Sequence, residues 1–195
     1  MPKTYNEIER NHIRQTLRAA GAKALYLFGV KRTTVDYLVE EAHLAKGSFY
    51  LFYKSKEELF YDIYCNFFRE TEQRYLENLQ ELDENKIVTS LTSIFSEIIC
   101  DFYKKGIYRF FEEENHTLVM RKIPDEEKEL NERRIEGMVG KILAYFYIED
   151  KKDIARFTSA LSLLFLTLPA AEKVPNIKEA LELLIRGLVL QLVGE

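Results

Sequence analysis

Apolar side chains recur in steps of three and four along most of the chain, the period of helices that bury one face. Near the start, Ile13, Leu17, Ala20, Ala24 and Phe28 mark one face, and Arg10, Arg14, Arg18 and Lys23 mark the other. The pattern predicts a helix from about Tyr5 to Leu27, ended by Gly29 as a glycine past a helix end does. Thr33-Thr34 opens a second helix, because a threonine hydroxyl there accepts a free first-turn N–H. Its apolar face is Val35, Leu38, Val39 and Ala42, and it stops near Ala42. Three or four residues later a short helix covers roughly Lys46 to Phe52. Two short helices joined so tightly have the geometry of a helix-turn-helix. Ser55-Lys56-Glu57-Glu58 reads as a capping box. It opens a long helix in which Leu59, Ile63, Phe67, Phe68, Leu76 and Leu79 keep phase to about Leu82, and Asp83-Glu84-Asn85 ends it.

The remainder continues as helices. One spans roughly Lys86 to Lys105, with Leu91, Ile94, Phe95, Ile98, Ile99 and Phe102 inward, and Gly106 stops it. A short piece runs from Ile107 to about Asn115. Pro124 opens a helix to about Tyr147, since proline is tolerated at a first-turn position. Lys151 to Leu168 and Asn176 to Val193 complete the chain, separated by Pro169 and Pro175. No stretch alternates as a strand would, so the fold class is all-α. The composition agrees: 195 residues carry only eight glycines and four prolines, and such a scarcity of breakers suits long helices.

Charge adds an asymmetry. The chain is net −4, yet residues 1–60 hold ten basic and seven acidic side chains, net +3. The other 135 hold eighteen basic and twenty-five acidic, net −7. A basic head on an acidic body suits a nucleic-acid-reading module attached to a second domain. The greasy run from Leu161 to Ala171 falls short of the roughly 20 residues that span a bilayer, and the N-terminus is polar, so a cytoplasmic protein without a membrane partner is expected. Cys65 and Cys100 are expected to be buried free thiols. His12, His43 and His116 stand apart from each other and from the cysteines, so no metal site is expected. No Walker loop, HExxH or GxSxG appears, and neither catalysis nor a cofactor is expected.

The run from Thr33 through His43-Leu44-Ala45-Lys46-Gly47-Ser48-Phe49-Tyr50, continuing to Phe60, resembles the DNA-binding signature of the TetR family, with Gly29 four residues ahead of Thr33 where that family has a glycine. The resemblance covers about the first third of the chain and implies a helix-turn-helix domain over residues 1–57, with a helical effector-binding and dimerisation domain over 58–195. The second helix of the motif then enters the major groove. Lys46 reaches a guanine edge or a phosphate, Gly47 allows close backbone approach, and Ser48 bonds either. Phe49 faces inward. Tyr50 faces outward, toward phosphate in the family. Thr33, Thr34, Lys54 and Lys56 are placed at helix starts, where anions are favoured. Two positions depart from the family. His43 stands where glycine is common, and Ala45 where a serine or threonine cap is usual.

What the resemblance implies for the second half is an effector cavity and a dimer. Tyr64, Phe67, Phe68, Phe95, Phe102, Tyr103, Phe110 and Tyr145 are the candidate lining, although such aromatics more often form core. Leu161, Leu164, Phe165 and Leu168, widened by Ala160, Leu163 and Leu166, stripe one helix. Leu181, Leu184, Leu188 and Leu192, with Leu183, Ile185, Val189 and Leu190, coat the last. Helices apolar on nearly all sides are buried on nearly all sides. Either a monomer interior or a two-fold four-helix interface does this, and the second also pairs two reading heads. The leading expectation is a regulator, in the form of a repressor that binds a palindromic operator in double-stranded DNA as a homodimer and is released by a small-molecule effector. The alternatives are a helical interaction protein that does not read DNA, and an all-α enzyme.

Overall fold

A computed structural model describes residues 5–78 and 86–194, and these residues hold helices and no strands. Helix α1 spans Glu7–Arg32, α2 Val35–Glu41, α3 Lys46–Phe49 and α4 Lys56–Asn78. Helix α5 spans Ile87–Lys104, followed by a 3-10 turn at Ile107–Phe111 and by α6 at Glu113–Met120. Helix α7 spans Asp125–Ala144 and α8 Lys151–Thr167; a second 3-10 segment, Leu168–Lys173, leads to α9 at Ile177–Val193. The expected end of α4 at Leu82 and its stop at Asp83-Glu84-Asn85 lie outside the described residues.

Asn6 caps α1 with a reciprocal box, its side chain accepting from the Glu9 N–H while Glu9 accepts from the Asn6 N–H. Gly29 breaks the helical run at φ 71°, but the chain resumes to Arg32 beyond the bend, later than expected. Helix α6 is the element that periodicity missed. Glu112 is extended ahead of it, and its buried face includes a polar residue, Asn115, so the apolar pattern lapses where the helix begins. Helix α7 ends before Tyr147, which adopts φ 63°.

Two apolar cores fill the molecule. The first joins α1–α3 to Leu59, Phe60 and Ile63 of α4, and takes Phe110, Val119 and Ile123 from beyond α5. The second joins Phe67 and Phe68 of α4 to α5, α7, α8 and α9. Helix α4 therefore belongs to both cores, and the expected boundary at residues 57/58 falls in its first turn. Cys65 is buried but Cys100 only half-buried.

Helix α8 and the 3-10 segment after it form one stretch, Lys151–Ala171, that is long and apolar enough by length and composition to cross a membrane. Counting only the uninterrupted run from Leu161 missed this. One such helix also arises in the core of a globular domain, and here Phe157, Leu161 and Phe165 are packed inside the bundle.

Candidate nucleic-acid interface and ligand cavity

The turn between α2 and α3 is built around a left-handed residue. His43 sits at φ 54°; its N–H donates to Glu40 O at 3.1 Å, and the Leu44 N–H donates to Val39 O at 2.8 Å. This is a Schellman turn with histidine in the usual glycine place. Histidine tolerates that region better than most side chains. Ala45 stands at the N-cap of α3 and supplies no side-chain bond. The Tyr5 hydroxyl lies 3.2 Å from Ser48 Oγ, so the start of the chain rests on the short helix that lacks its own cap.

Side chains of the reading helix divide by burial. Phe49 is fully buried and fixes α3 to the core. Lys46, Gly47 and Tyr50 are exposed, and Ser48 is half-exposed. A β-carbon on Gly47 would meet nothing within 4 Å, so the fold itself does not require glycine there. Lys46 pairs with Asp36 at 2.8 Å, and that hydrogen bond holds its ammonium above the ordinary lysine range. Thr34 caps α2 by accepting from the Tyr37 N–H at 3.1 Å. Lys54 is exposed, and its N–H donates to Glu58 Oε2 at 2.7 Å.

Thr33 and Lys56 do not join that surface. Thr33 is buried, and its hydroxyl donates to Gly29 O at 2.7 Å. The Lys56 ammonium donates to Val30 O, Lys31 O and Thr33 O at 2.8, 3.2 and 2.7 Å. It therefore caps the carboxyl end of α1, where a cation is favoured. Conversely, Arg10 and Arg14 lie over the Phe52 ring at 5.0 and 5.7 Å. Their spacing of four was visible in the sequence, but nothing there linked them to the reading helix.

A cavity of about 380 Å³ lies among α4–α8 and opens to solvent beside the exposed Glu132, Glu136 and Ser162. Of the expected lining, Tyr64, Phe68, Phe95 and Phe110 face it. Phe67, Phe102, Tyr103 and Tyr145 are not part of its wall. Phe102 is packed edge-on to Phe67 and Phe165 at 5.0 and 4.8 Å. Tyr103 stacks on Tyr108, and Tyr145 meets Phe146. Unforeseen lining comes from Phe111, His116 and Met120, from Glu132, Ile135 and Glu136 of α7, and from Thr158, Ser159 and Ser162 of α8. Burial, followed by the charge of Lys128, holds His116 below its ordinary range.

Residues 17–63 match the family described as bacterial regulatory proteins, tetR family. Residues 17–63 are thus a DNA-binding domain of the TetR-family type. A 55-residue stretch is 40% identical to an uncharacterized HTH-type transcriptional regulator, YhgD, of Bacillus subtilis (strain 168); it covers 28% of this chain and 29% of that protein. Beyond this stretch the likeness is one of fold. Thermus thermophilus FadR, a TetR-family repressor solved with lauroyl-CoA, superposes with a TM-score of 0.65 at 16% identity, covering 90% of this chain and 93% of FadR. A Mesorhizobium loti MAFF303099 protein assigned to the family gives 0.66 at 13% identity, covering 95% and 96%. RolR with resorcinol gives 0.55 at 16% identity, covering 93% and 90%.

One buried side chain contributes to tying the helix-turn-helix to the elements beyond α5, beside the Lys31–Glu114 pair and the packing of Phe110, Val119 and Ile123. Asn115 of α6 is buried. Its Oδ1 accepts from the Val30 N–H at 2.9 Å, and its Nδ2 donates to Arg109 O and to Glu112 Oε2 at 2.9 and 2.8 Å. The bend at Gly29 removes the Val30 N–H from the regular helix ladder, and Asn115 satisfies it.

Proposed function

We propose that the protein is a ligand-released repressor that reads a palindromic operator as a homodimer through Lys46, Gly47, Ser48 and Tyr50, with Thr34 and Lys54 on flanking phosphates. The observation that carries this reading is the exposed Lys46-Gly47-Ser48/Tyr50 face over a fully buried Phe49. The open space at Gly47 supports it, because close approach by an outside molecule is what glycine permits there. The side of α3 that meets solvent has the residue chemistry for base edges and phosphates. Lys46 must exchange Asp36 for DNA, an exposed pairing of small cost. The effector occupies the cavity among α4–α8. FadR and RolR hold different ligands on this one fold, so the effector class is to be read from this chain's own lining.

The test is fluorescence anisotropy with DNA from upstream of the protein's own gene, titrated with salt. A sequence-specific complex is expected. The double variant Lys46→Ala/Tyr50→Ala, with its helical circular dichroism intact, should lose it by at least about tenfold. Binding that shows no sequence preference and disappears as salt rises would sink the repressor reading and favour a helical interaction protein.

A further inference from the structure

This inference rests on the cavity being the effector site and concerns what the cavity admits. One side of it is aromatic. Tyr64 stacks on Phe110 at 4.6 Å and meets Phe68 and Phe111 edge-on at 5.3 and 5.7 Å. The polar side is acidic: Glu132 and Glu136 lie one turn apart on α7, and among the described residues no lysine or arginine lines the space. Neither carboxylate forms an ion pair within 4.0 Å among the described residues. Two like charges at this spacing repel modestly, and both carboxylates stand exposed at the solvent-facing edge of an apolar space. The field of Glu132 reaches the aromatic side. Burial, then the charges of Cys65 and Glu132, hold the proton on Tyr64 above the ordinary tyrosine range. Lys128, the cation whose charge reaches His116, is itself paired with Asp125 at 2.7 Å. His116, kept from charging by burial, adds a neutral ring against Phe111.

We infer that the cavity takes a lipophilic organic cation, with its apolar body against Tyr64, Phe68 and Phe110 and its positive centre beside Glu132 and Glu136. Aromatic faces attract cations most strongly where water is excluded, and carboxylates at the same wall raise the local cation concentration. An anionic head would meet two like charges with no counter-ion in the lining. A neutral head would leave their repulsion unrelieved.

Calorimetric titration of the full-length protein with three chain-matched probes tests this: decyltrimethylammonium, decanol and decanoate. The ammonium should bind about tenfold more tightly than the alcohol, and the carboxylate most weakly. In Glu132→Gln/Glu136→Gln, exposed positions that leave the core untouched, the ammonium-to-alcohol preference should collapse toward unity. Decanol or decanoate binding best, with an order that the double variant does not alter, overturns the cation and leaves the cavity as a site. Failure of all three to bind, with Phe110→Ala unchanged in its response, overturns the effector site itself and the inference with it.

Discussion

Ala45 and Asp62 show what single side chains contribute to the reading head. Ala45 leaves the first turn of a four-residue helix without a side-chain acceptor. Ala45→Ser supplies one and should stabilise the protein by about 0.5–2 kcal/mol in urea unfolding; no gain would mean that the Tyr5–Ser48 contact already compensates for the missing cap. Asp62 gathers Arg18, Arg69 and the Tyr53 hydroxyl, each at 2.7 Å. Burial pushes its pKa up, but the hydrogen bonds from Arg18, Tyr53 and Arg69 outweigh burial and hold the carboxyl below its usual range. A group with a lowered folded pKa adds stability above its unfolded value, near about 3.9, and loses it as pH falls through the folded one. Asp62→Asn should therefore destabilise by roughly 1–3 kcal/mol at neutral pH, with a gap from wild type that narrows below about pH 4. A gap that persists unchanged in acid would assign the loss to packing instead of charge. His43 and the exposed Tyr50 were legible in the sequence, because a left-handed turn and a non-core aromatic leave marks in a spaced motif. Thr33 and Lys56 were not. A hydroxyl or an ammonium at a helix end serves a carbonyl as readily as a phosphate, and only the fold shows which one is near.

Helix α6 joins the two halves without having been visible as a helix. Its His116 and Met120 face the cavity, while Asn115 and Val119 face α1. Asn115→Ala would leave the Val30 N–H and the Arg109 carbonyl without this buried partner, at a cost of about 1–3 kcal/mol. Gly29→Ala places a β-carbon 3.0–3.1 Å from the Asn115 amide at φ 71° and ψ 176°, a region essentially confined to glycine that costs an L-residue on the order of 1–3 kcal/mol. The two changes meet at one contact, so their unfolding free energies should be non-additive, with the double variant losing less than the sum. Strict additivity would show that the amide does not press on the bend. Helices α1, α4, α5, α8 and α9 were legible because each carries a continuous apolar stripe, whereas α7 was legible from Pro124 at its start, its buried apolar residues beginning only at Met138. The cavity wall was legible only in part. Phe95 and Phe102 on α5 share the same periodicity, yet the first meets space and the second meets Phe165, a difference set by neighbours distant in sequence.

Charge and greasy surface together say how the whole chain is used. The net +3 of residues 1–60 and the net −7 of the rest orient the molecule toward a polyanion by its head. One head reads one major-groove face, and two must be held about 34–36 Å apart to read a palindrome. Helix α9 buries Leu181, Ile185 and Val189 within its own chain, which corrects any picture of a helix enclosed on all sides by the monomer. Its Leu183 is 72% exposed and Leu184 54%, and on the adjacent α8 Leu163 is 64% and Leu166 51% exposed. In the proposed homodimer a two-fold contact through these two helices would cover such a face, and large apolar surface is rarely left bare. Leu163→Glu/Leu183→Glu tests it, because neither side chain supports the core and the fold should change by well under the global stability. Sedimentation equilibrium should then show a dimer for the wild type and a folded monomer for the variant. Operator affinity should fall by on the order of a hundredfold as the second head is lost. A variant that stays dimeric and binds DNA as before would move the interface elsewhere and leave these leucines unexplained. A monomer that still binds the operator at full strength would instead separate pairing from reading, and the palindromic form of the repressor would fall while the reading head stood.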